Sequence, residues 1–119
     1  MGQPRYDSVK NQYVYGVDAD ADVANLVDGA ITHAEGVHAI SKASIAALTL
    51  SAPTAAEEGM RMTVVSRTAF AHVLTVTGGL GGNAADDVLT FAKVGDNIEL
   101  LADNLRWVPV GAPYGVVIS

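Results

Sequence analysis

The sequence predicts an all-β protein: a small antiparallel sandwich, jelly-roll or barrel-like domain with an extended N-terminal arm. From residue 29 onward, about eight short runs rich in β-branched residues follow one another at intervals of roughly 8–12 residues, with turn residues between them. The 119 residues suit one domain. We therefore divide the chain into an arm, residues 1–28, and a β-domain, residues 29–119.

The predicted arm differs in composition from the rest of the chain. It holds three of the four tyrosines, Tyr6, Tyr13 and Tyr15, and it turns acidic over residues 18–22. Two interpretations stay open: a frayed terminus, which is common, or an arm that orders on a neighbouring surface, since tyrosine is enriched at interfaces. In the second case we expect the three tyrosines to dock. Residues 21–27 also fit one or two helical turns.

Alternation of apolar and polar residues predicts the strands of the β-domain, because successive side chains of a strand point to opposite faces. The glycine-rich stretch Gly78–Asn83 predicts a loop. Asp103–Asn104 predicts a tight turn, because both residues tolerate left-handed backbone angles. The predicted strands are residues 30–33, 37–42, 44–50, 60–67, 72–77, 88–91, 98–101, 105–110 and 116–119.

Residues 44–50 fit two kinds of secondary structure. Their alanines suit a helix, but the spacing of Ile45, Leu48 and Leu50 also fits a strand, which is the structure we predict. Pro53 ends the run, because proline neither donates to a ladder nor extends a helix. Residues 55–59 then form a polar loop or a single helical turn.

Seven large side chains of these strands are predicted to form the core and to supply the contact between copies of the chain. Half of the residues are apolar, but alanine supplies much of that fraction and only seven residues are aromatic. Small domains with thin cores often gain stability by oligomerising. The residues predicted to form the core and the contact between copies are Met62, Val64, Leu74, Val76, Phe91, Leu100 and Trp107.

The charge excludes several classes of partner. A formal net charge of −6 argues against a nucleic-acid binder, which needs a basic stripe to neutralise phosphates. The chain has no basic amphipathic stretch and no apolar run of about 18 residues, so we expect no membrane partner. The absence of cysteine excludes disulfides, thiolate zinc sites and cysteine nucleophiles.

No set of residues predicts a metal or a cofactor. His33 and His38 are five residues apart, which in a strand puts them on opposite faces, and His72 is distant in sequence. Asp18, Asp20 and Asp22 match the first ligands of a calcium loop, but the glycine and the glutamate that such a loop requires are missing. The glycines from Gly79 onward lack the helix and the Lys-Ser/Thr pair of a phosphate-binding loop.

No residues predict catalysis either, so we expect that the protein is not an enzyme. A nucleophilic serine needs a base that is itself oriented by a third group. The sequence places no organised base beside any of the serines considered, which are Ser8, Ser41, Ser44, Ser51 and Ser66.

Five stretches of the chain carry a resemblance to a known class of protein. They are residues 45–54, 59–64, 71–82, 89–91 and the closing pair Trp107–Val108. In this order they resemble small virion structural proteins of tailed bacteriophages, of the head decoration or cement type, over about residues 30–110. Related sequences tend to have Asn-Gly before the tryptophan, where this chain has Asp103-Asn104-Leu105-Arg106.

The resemblance implies a function in the virion. Decoration proteins of this type sit as trimers at threefold or quasi-threefold points of an icosahedral shell, so the implied partners are the major capsid protein and further copies of the chain. The implied location is the capsid surface, after synthesis in the cytoplasm of the bacterial host. We expect the arm, through Tyr6, Tyr13 and Tyr15, to dock on the capsid.

Two other functions remain open from the sequence. The same fold could serve as a phage fibre or receptor-binding module, with Gly78–Asp87 as its recognition loop. A small glycan hydrolase would use a pair of carboxylates, for which Glu57–Glu58 and Asp86–Asp87 are the adjacent acids.

Overall fold

The computed structural model describes residues 5–7, 12–14 and 23–119. The first two segments are strands β1 (Arg5–Asp7) and β2 (Gln12–Val14), which pair antiparallel with Tyr6 opposite Tyr13. Tyr15 and the acidic residues 18–22 lie outside the described residues.

The remaining ten strands form two five-stranded sheets, which confirms the all-β prediction. The first sheet has the strand order β11-β10-β7-β5-β3 and the second has β12-β9-β8-β6-β4. The strands are β3 (Val23–Leu26), β4 (Gly29–Ala30), β5 (Gly36–Ile40), β6 (Ala47–Leu50), β7 (Arg61–Ser66), β8 (His72–Val76), β9 (Val88–Phe91), β10 (Asn97–Asp103), β11 (Arg106–Pro109) and β12 (Val117–Ile118).

The prediction of antiparallel sheets is wrong for the first half of the body. From β3 to β8 the chain places successive strands in alternate sheets. Each strand therefore returns to its own sheet in the direction of the strand two before it, and the neighbours β3–β5–β7 and β4–β6–β8 are parallel. The strands from β9 to β12 add to both sheets in antiparallel fashion. Neither sheet closes on itself, so a jelly roll or barrel is not confirmed.

The first strand of the body lies within the segment that the sequence analysis assigned to the arm. Residues 23–26 are not helical; they form β3, whose Val23 is opposite Val37 of β5. Pairing with a formed strand outweighs the weak local preference of so short a stretch. The paired body thus begins at Val23 rather than at residue 29.

One hydrophobic core lies between the two sheets. Side chains alternate between buried and partly exposed along β7, β8 and β10, as the sequence pattern predicts. All seven predicted core and trimer-contact residues belong to this core and are at most 1 % exposed. They face one another inside a single chain, so a contact between copies has to use other residues.

The strand directions give the body two ends with different loops. Five connections, β3–β4, β5–β6, β7–β8, β9–β10 and β11–β12, lie at one end, which we call the apolar end. The other four, β4–β5, β6–β7, β8–β9 and β10–β11, lie at the opposite end, which we call the histidine end after His33. Because β3 runs parallel to β5, Val23 enters the body at the histidine end.

Candidate functional site

The apolar end concentrates the exposed hydrophobic side chains of the protein. Seven large hydrophobic residues are exposed among the described residues, and five of them lie in the loops of this end. Each of the five loops contributes one. They are Val27 (52 % exposed), Ile45 (57 %), Phe70 (39 %), Val94 (62 %) and Tyr114 (69 %).

Two of these loops are tied together through Asp28. Its carboxylate accepts hydrogen bonds from the backbone N–H of Ala47 (3.0 Å) and from the ammonium group of Lys42 (2.6 Å). The bond from Lys42, and then that from Ala47, lowers the pKa of Asp28 below the ordinary carboxylate value. The loop that carries Val27 is therefore fixed to the loop that carries Ile45.

Asp96 holds the loop of Val94 in the same way. This buried carboxylate accepts hydrogen bonds from the backbone N–H groups of Ala92 (3.1 Å) and Lys93 (3.0 Å). The neighbouring Asn97 exchanges two backbone hydrogen bonds with Tyr114, so the last loop is fixed as well. A Cβ atom on Gly115 would overlap the Asp96 carboxylate, which explains the glycine at that position.

His72 connects the remaining loop to its neighbours. The ring is buried, accepts a hydrogen bond at Nδ1 from the backbone N–H of Ala46 (3.0 Å) and contacts the Thr68 hydroxyl at Nε2 (2.7 Å). Since Thr68 donates its only hydroxyl hydrogen to the carbonyl of Lys42 (2.6 Å), Nε2 must be the donor to Thr68. His72 is therefore neutral, and burial lowers its pKa below the ordinary histidine value.

At the histidine end, three side chains form a line of hydrogen bonds. The Ser51 hydroxyl lies 3.0 Å from Nε2 of His33, and Nδ1 of His33 lies 2.8 Å from Oε1 of Glu57. Glu57 also accepts a hydrogen bond from the backbone N–H of Thr54 at the start of a 3₁₀ helix, Ala55–Glu57. The Thr54 bond, and then that from His33, lowers the pKa of Glu57. The helix confirms the single turn allowed for residues 55–59.

The sequence analysis was wrong to place no organised base beside Ser51. The three side chains are hydrogen-bonded in the order serine, histidine, carboxylate, as in a catalytic triad. Because Ser51 and His33 are 18 residues apart, no local sequence motif indicates their contact. No pocket occurs among the described residues.

The line of hydrogen bonds has a clear structural role. It ties the loop after β4 to the loop after β6, and the His33 ring packs edge-on against Trp107 with centroids 5.3 Å apart. The buried indole of Trp107 donates to the backbone carbonyl of Ser51 (2.8 Å). Trp107 and the three side chains therefore brace this end of the core.

The third histidine, His38, joins neither His33 nor His72. His38 is buried in β5 and donates from Nε2 to the carbonyl of Ala34 (2.8 Å), while its Nδ1 has no partner. No group of three or more potential metal ligands occurs in the part of the chain that the structure describes. Within the same part, no helix is long and apolar enough to cross a membrane.

The β10–β11 hairpin ends in a strained turn at the histidine end. Asn104 and Leu105 both have positive φ, 54° and 64°, as the two central residues of a type I′ turn must. Asn tolerates this conformation, but a leucine pays about 1–2 kcal/mol for it. The Glu58 carboxylate fixes the turn by accepting from the backbone N–H of Asn104 (2.9 Å), and the Leu105 side chain is 54 % exposed.

The predicted loop after β8 packs against this hairpin. It contains short 3₁₀ helices at Leu80–Gly82 and Ala84–Asp86, and Leu80 is buried. Arg106 lies across the loop, with its guanidinium 3.4 Å from the carbonyl of Gly81. A Cβ atom on Gly82 would meet this side chain at 2.7 Å, so the glycine permits the close approach.

The two ends also differ in charge. The loops of the apolar end hold three cations, Lys42, Arg67 and Lys93, together with Asp28 and the buried Asp96. The histidine end has two arginines, Arg61 and Arg106, and six carboxylates. These are Glu35, Glu57, Glu58, Asp86, Asp87 and Asp103.

No protein family and no curated protein matches the sequence.

Proposed function

We propose that this protein is a structural component of a tailed-phage virion. It binds the outer capsid surface as a trimer and stabilises contacts between capsomers. The apolar end is the observation that carries the proposal. Soluble monomers seldom expose contiguous apolar surface, and such patches mark sites of interaction. Five exposed hydrophobic side chains on five adjoining loops suit contact with another protein.

The bracing of these loops supports a role in binding. Asp28, Asp96 and His72 each hold backbone groups of the loops from which the apolar side chains project. A surface that is already ordered loses less conformational entropy when it binds. Contact through the apolar end therefore retains more of its gross binding energy than contact through mobile loops.

The position of the arm suggests a division between two contacts. The described body begins at Val23, at the histidine end, so the chain that precedes it joins the body at the end opposite the apolar loops. We assign the arm, with Tyr6, Tyr13 and Tyr15, to the capsid. The apolar end then supplies the contact between copies that the buried core residues cannot make.

Co-sedimentation with purified capsids that lack the protein tests this function. The wild-type protein should pellet with such capsids, and a variant with Tyr6, Tyr13 and Tyr15 changed to Ser should bind at least tenfold more weakly. The matched control changes the same tyrosines to Phe, which retains the aromatic contact area and should retain most of the affinity.

Two outcomes would contradict the proposal. A wild-type protein that does not bind capsids, or immunogold labelling of virions confined to the tail tip, excludes decoration of the capsid. Equal binding by the Ser and wild-type proteins excludes the arm as the docking element.

A further inference from the structure

We propose that the apolar end of one copy receives the β10–β11 hairpin tip of a second copy, with Leu105 as the inserted side chain. The inference rests on the proposed function, whose contact between copies it specifies. It names two different surfaces of the same chain, both with exposed apolar side chains and with different balances of charge.

Leu105 is unfavourable in the free protein in two ways. Its backbone has a φ of 64°, a conformation in which glycine is preferred at this position of the turn. Its side chain is also 54 % exposed at the tip of the hairpin. Neither property contributes to the fold of a single chain, and strain of this kind marks sites of function. Both are explained if the leucine is buried by a partner.

The apolar end has what such a side chain requires. Val27, Ile45, Phe70 and Val94 project from loops that follow one another in the order of the strands β4, β6, β8 and β9. Neighbouring strands lie about 4.8 Å apart, so these four side chains form a row along this end of the body. An aliphatic knob on a two-residue turn can pack against such a row.

Charge selects between the possible arrangements of two copies. Two apolar ends in contact would bring together two sets of Arg67 and Lys93, while Lys42 is already paired with Asp28, and like charges in an interface are disfavoured. A hairpin tip brings two carboxylates, Asp103 and Glu58, beside Leu105, and one cation, Arg106, whose guanidinium lies against the carbonyl of Gly81. Exposed ion pairs add little energy, so the charges set the orientation and the apolar side chains supply the affinity.

The contact is heterologous, because it joins different surfaces of the two copies. Heterologous contacts produce a closed ring when the rotation between copies permits closure and an open chain when it does not. A cyclic trimer requires contacts of this type.

Sedimentation velocity of purified full-length variants tests the inference. The wild-type protein should gain mass with concentration. V94D, at the apolar end, and L105G, at the tip, should each raise the dissociation constant of self-association at least tenfold. L105G should at the same time raise the thermal midpoint by about 4 °C, because glycine relieves the strained turn. If Leu105 had only a structural role, L105G would not weaken self-association while raising the thermal midpoint.

A matched control and a mixing experiment make the result specific. Val117 has the same 62 % exposure as Val94 but lies on β12, the edge strand of the second sheet, and not in a loop of the apolar end or in the hairpin, so V117D should change the dissociation constant less than twofold. V94D retains the tip and L105G retains the apolar end. Their mixture should therefore form a one-to-one pair and no larger species.

The inference is overturned if the wild-type protein stays monomeric, if V94D and V117D behave alike, or if the two defective variants do not complement each other. These results are distinguishable from failure of the proposed function. Capsid binding by a protein that does not self-associate would contradict only the inference, and self-association without capsid binding would contradict only the proposed function.

Discussion

The two ends of the body use the same means of ordering their loops and leave different groups at the surface. Asp28, Asp96 and His72 brace the apolar end, and His33 with Glu57 braces the histidine end. At the first end the exposed side chains include five large hydrophobic residues, whereas at the second they include the carboxylates Glu35, Glu58 and Asp103 and one large hydrophobic residue, Leu105. Polar braces beneath a loop therefore do not indicate a polar function for that loop.

The largest effect on stability should come from the brace of the histidine end. Changing Trp107 to Ala should lower the free energy of unfolding by about 3–5 kcal/mol, because the indole is almost fully buried and its loss leaves a cavity. Urea unfolding followed by circular dichroism measures this. Trp107→Phe, which retains a ring but not the donor to Ser51, should cost less. A decrease in unfolding free energy below about 1 kcal/mol for Trp107→Ala would show that Trp107 does not stabilise this end.

The brace of the apolar end should contribute less and should depend on pH. His72→Leu leaves the buried N–H of Ala46 without its acceptor, which should cost about 1–3 kcal/mol at pH 8. Urea unfolding at a series of pH values gives both the cost of the substitution and the pH dependence of the unfolding free energy.

The direction of the pH effect follows from the lowered pKa of His72. The unfolded chain binds the proton more tightly than the folded one, so wild-type stability should be greatest above the ordinary histidine pKa of about 6.5 and should fall as the pH drops below it. The His72→Leu variant should show a flatter dependence between pH 7 and 5. If His72→Leu had the same pH profile as the wild type, His72 would not be the source of the pH dependence.

The exposed side chains of the apolar end should matter little to the fold itself. Ile45→Ser changes a side chain that is 57 % exposed and should alter the unfolding free energy by less than about 0.5 kcal/mol, as thermal unfolding of the dilute protein would show. A cost above about 2 kcal/mol would place Ile45 in the core and remove the distinction between the ends.

The smallest expected effect is the chemical reactivity of Ser51, which is hydrogen-bonded through His33 to Glu57. Because we expect no catalysis, a fluorophosphonate probe should not label Ser51 above the level seen with a His33→Ala variant. Intact-protein mass spectrometry measures the adduct. Stoichiometric labelling that depends on His33 would show an activated serine and overturn that expectation.

Local sequence patterns predicted most of the strands and the identity of the core, because alternation along a strand is determined by residues near one another. The run 61–66 and the burial of Trp107 follow from such patterns. The parallel pairing could not be predicted in this way, since Gly36 pairs with Met62 across an entire excursion through the other sheet.

The candidate surfaces could not be predicted from local sequence patterns for the same reason. Ile45 and Phe70 are 25 residues apart and belong to one surface only because β6 and β8 pair. Ser51 and His33 likewise meet only through the ends of β4 and β6. The turn at Leu105 is a different case: the tight turn was predicted one residue too early, at Asp103–Asn104, because leucine gives no local indication of a positive φ.

The alternation of β3 to β8 between the sheets has a consequence for how the chain reaches this structure. Ala47 of β6 aligns with Val73 of β8, 26 positions later, so no hairpin can begin the central pairs. Loops of this length must close before their contacts form, and folds rich in distant pairs fold slowly. The hairpins β8–β9 and β10–β11 pair strands that are close in sequence, and synthesis completes them after β3 to β7. We therefore expect folding to be completed only after β9 to β11 are available to cover β7 and β8.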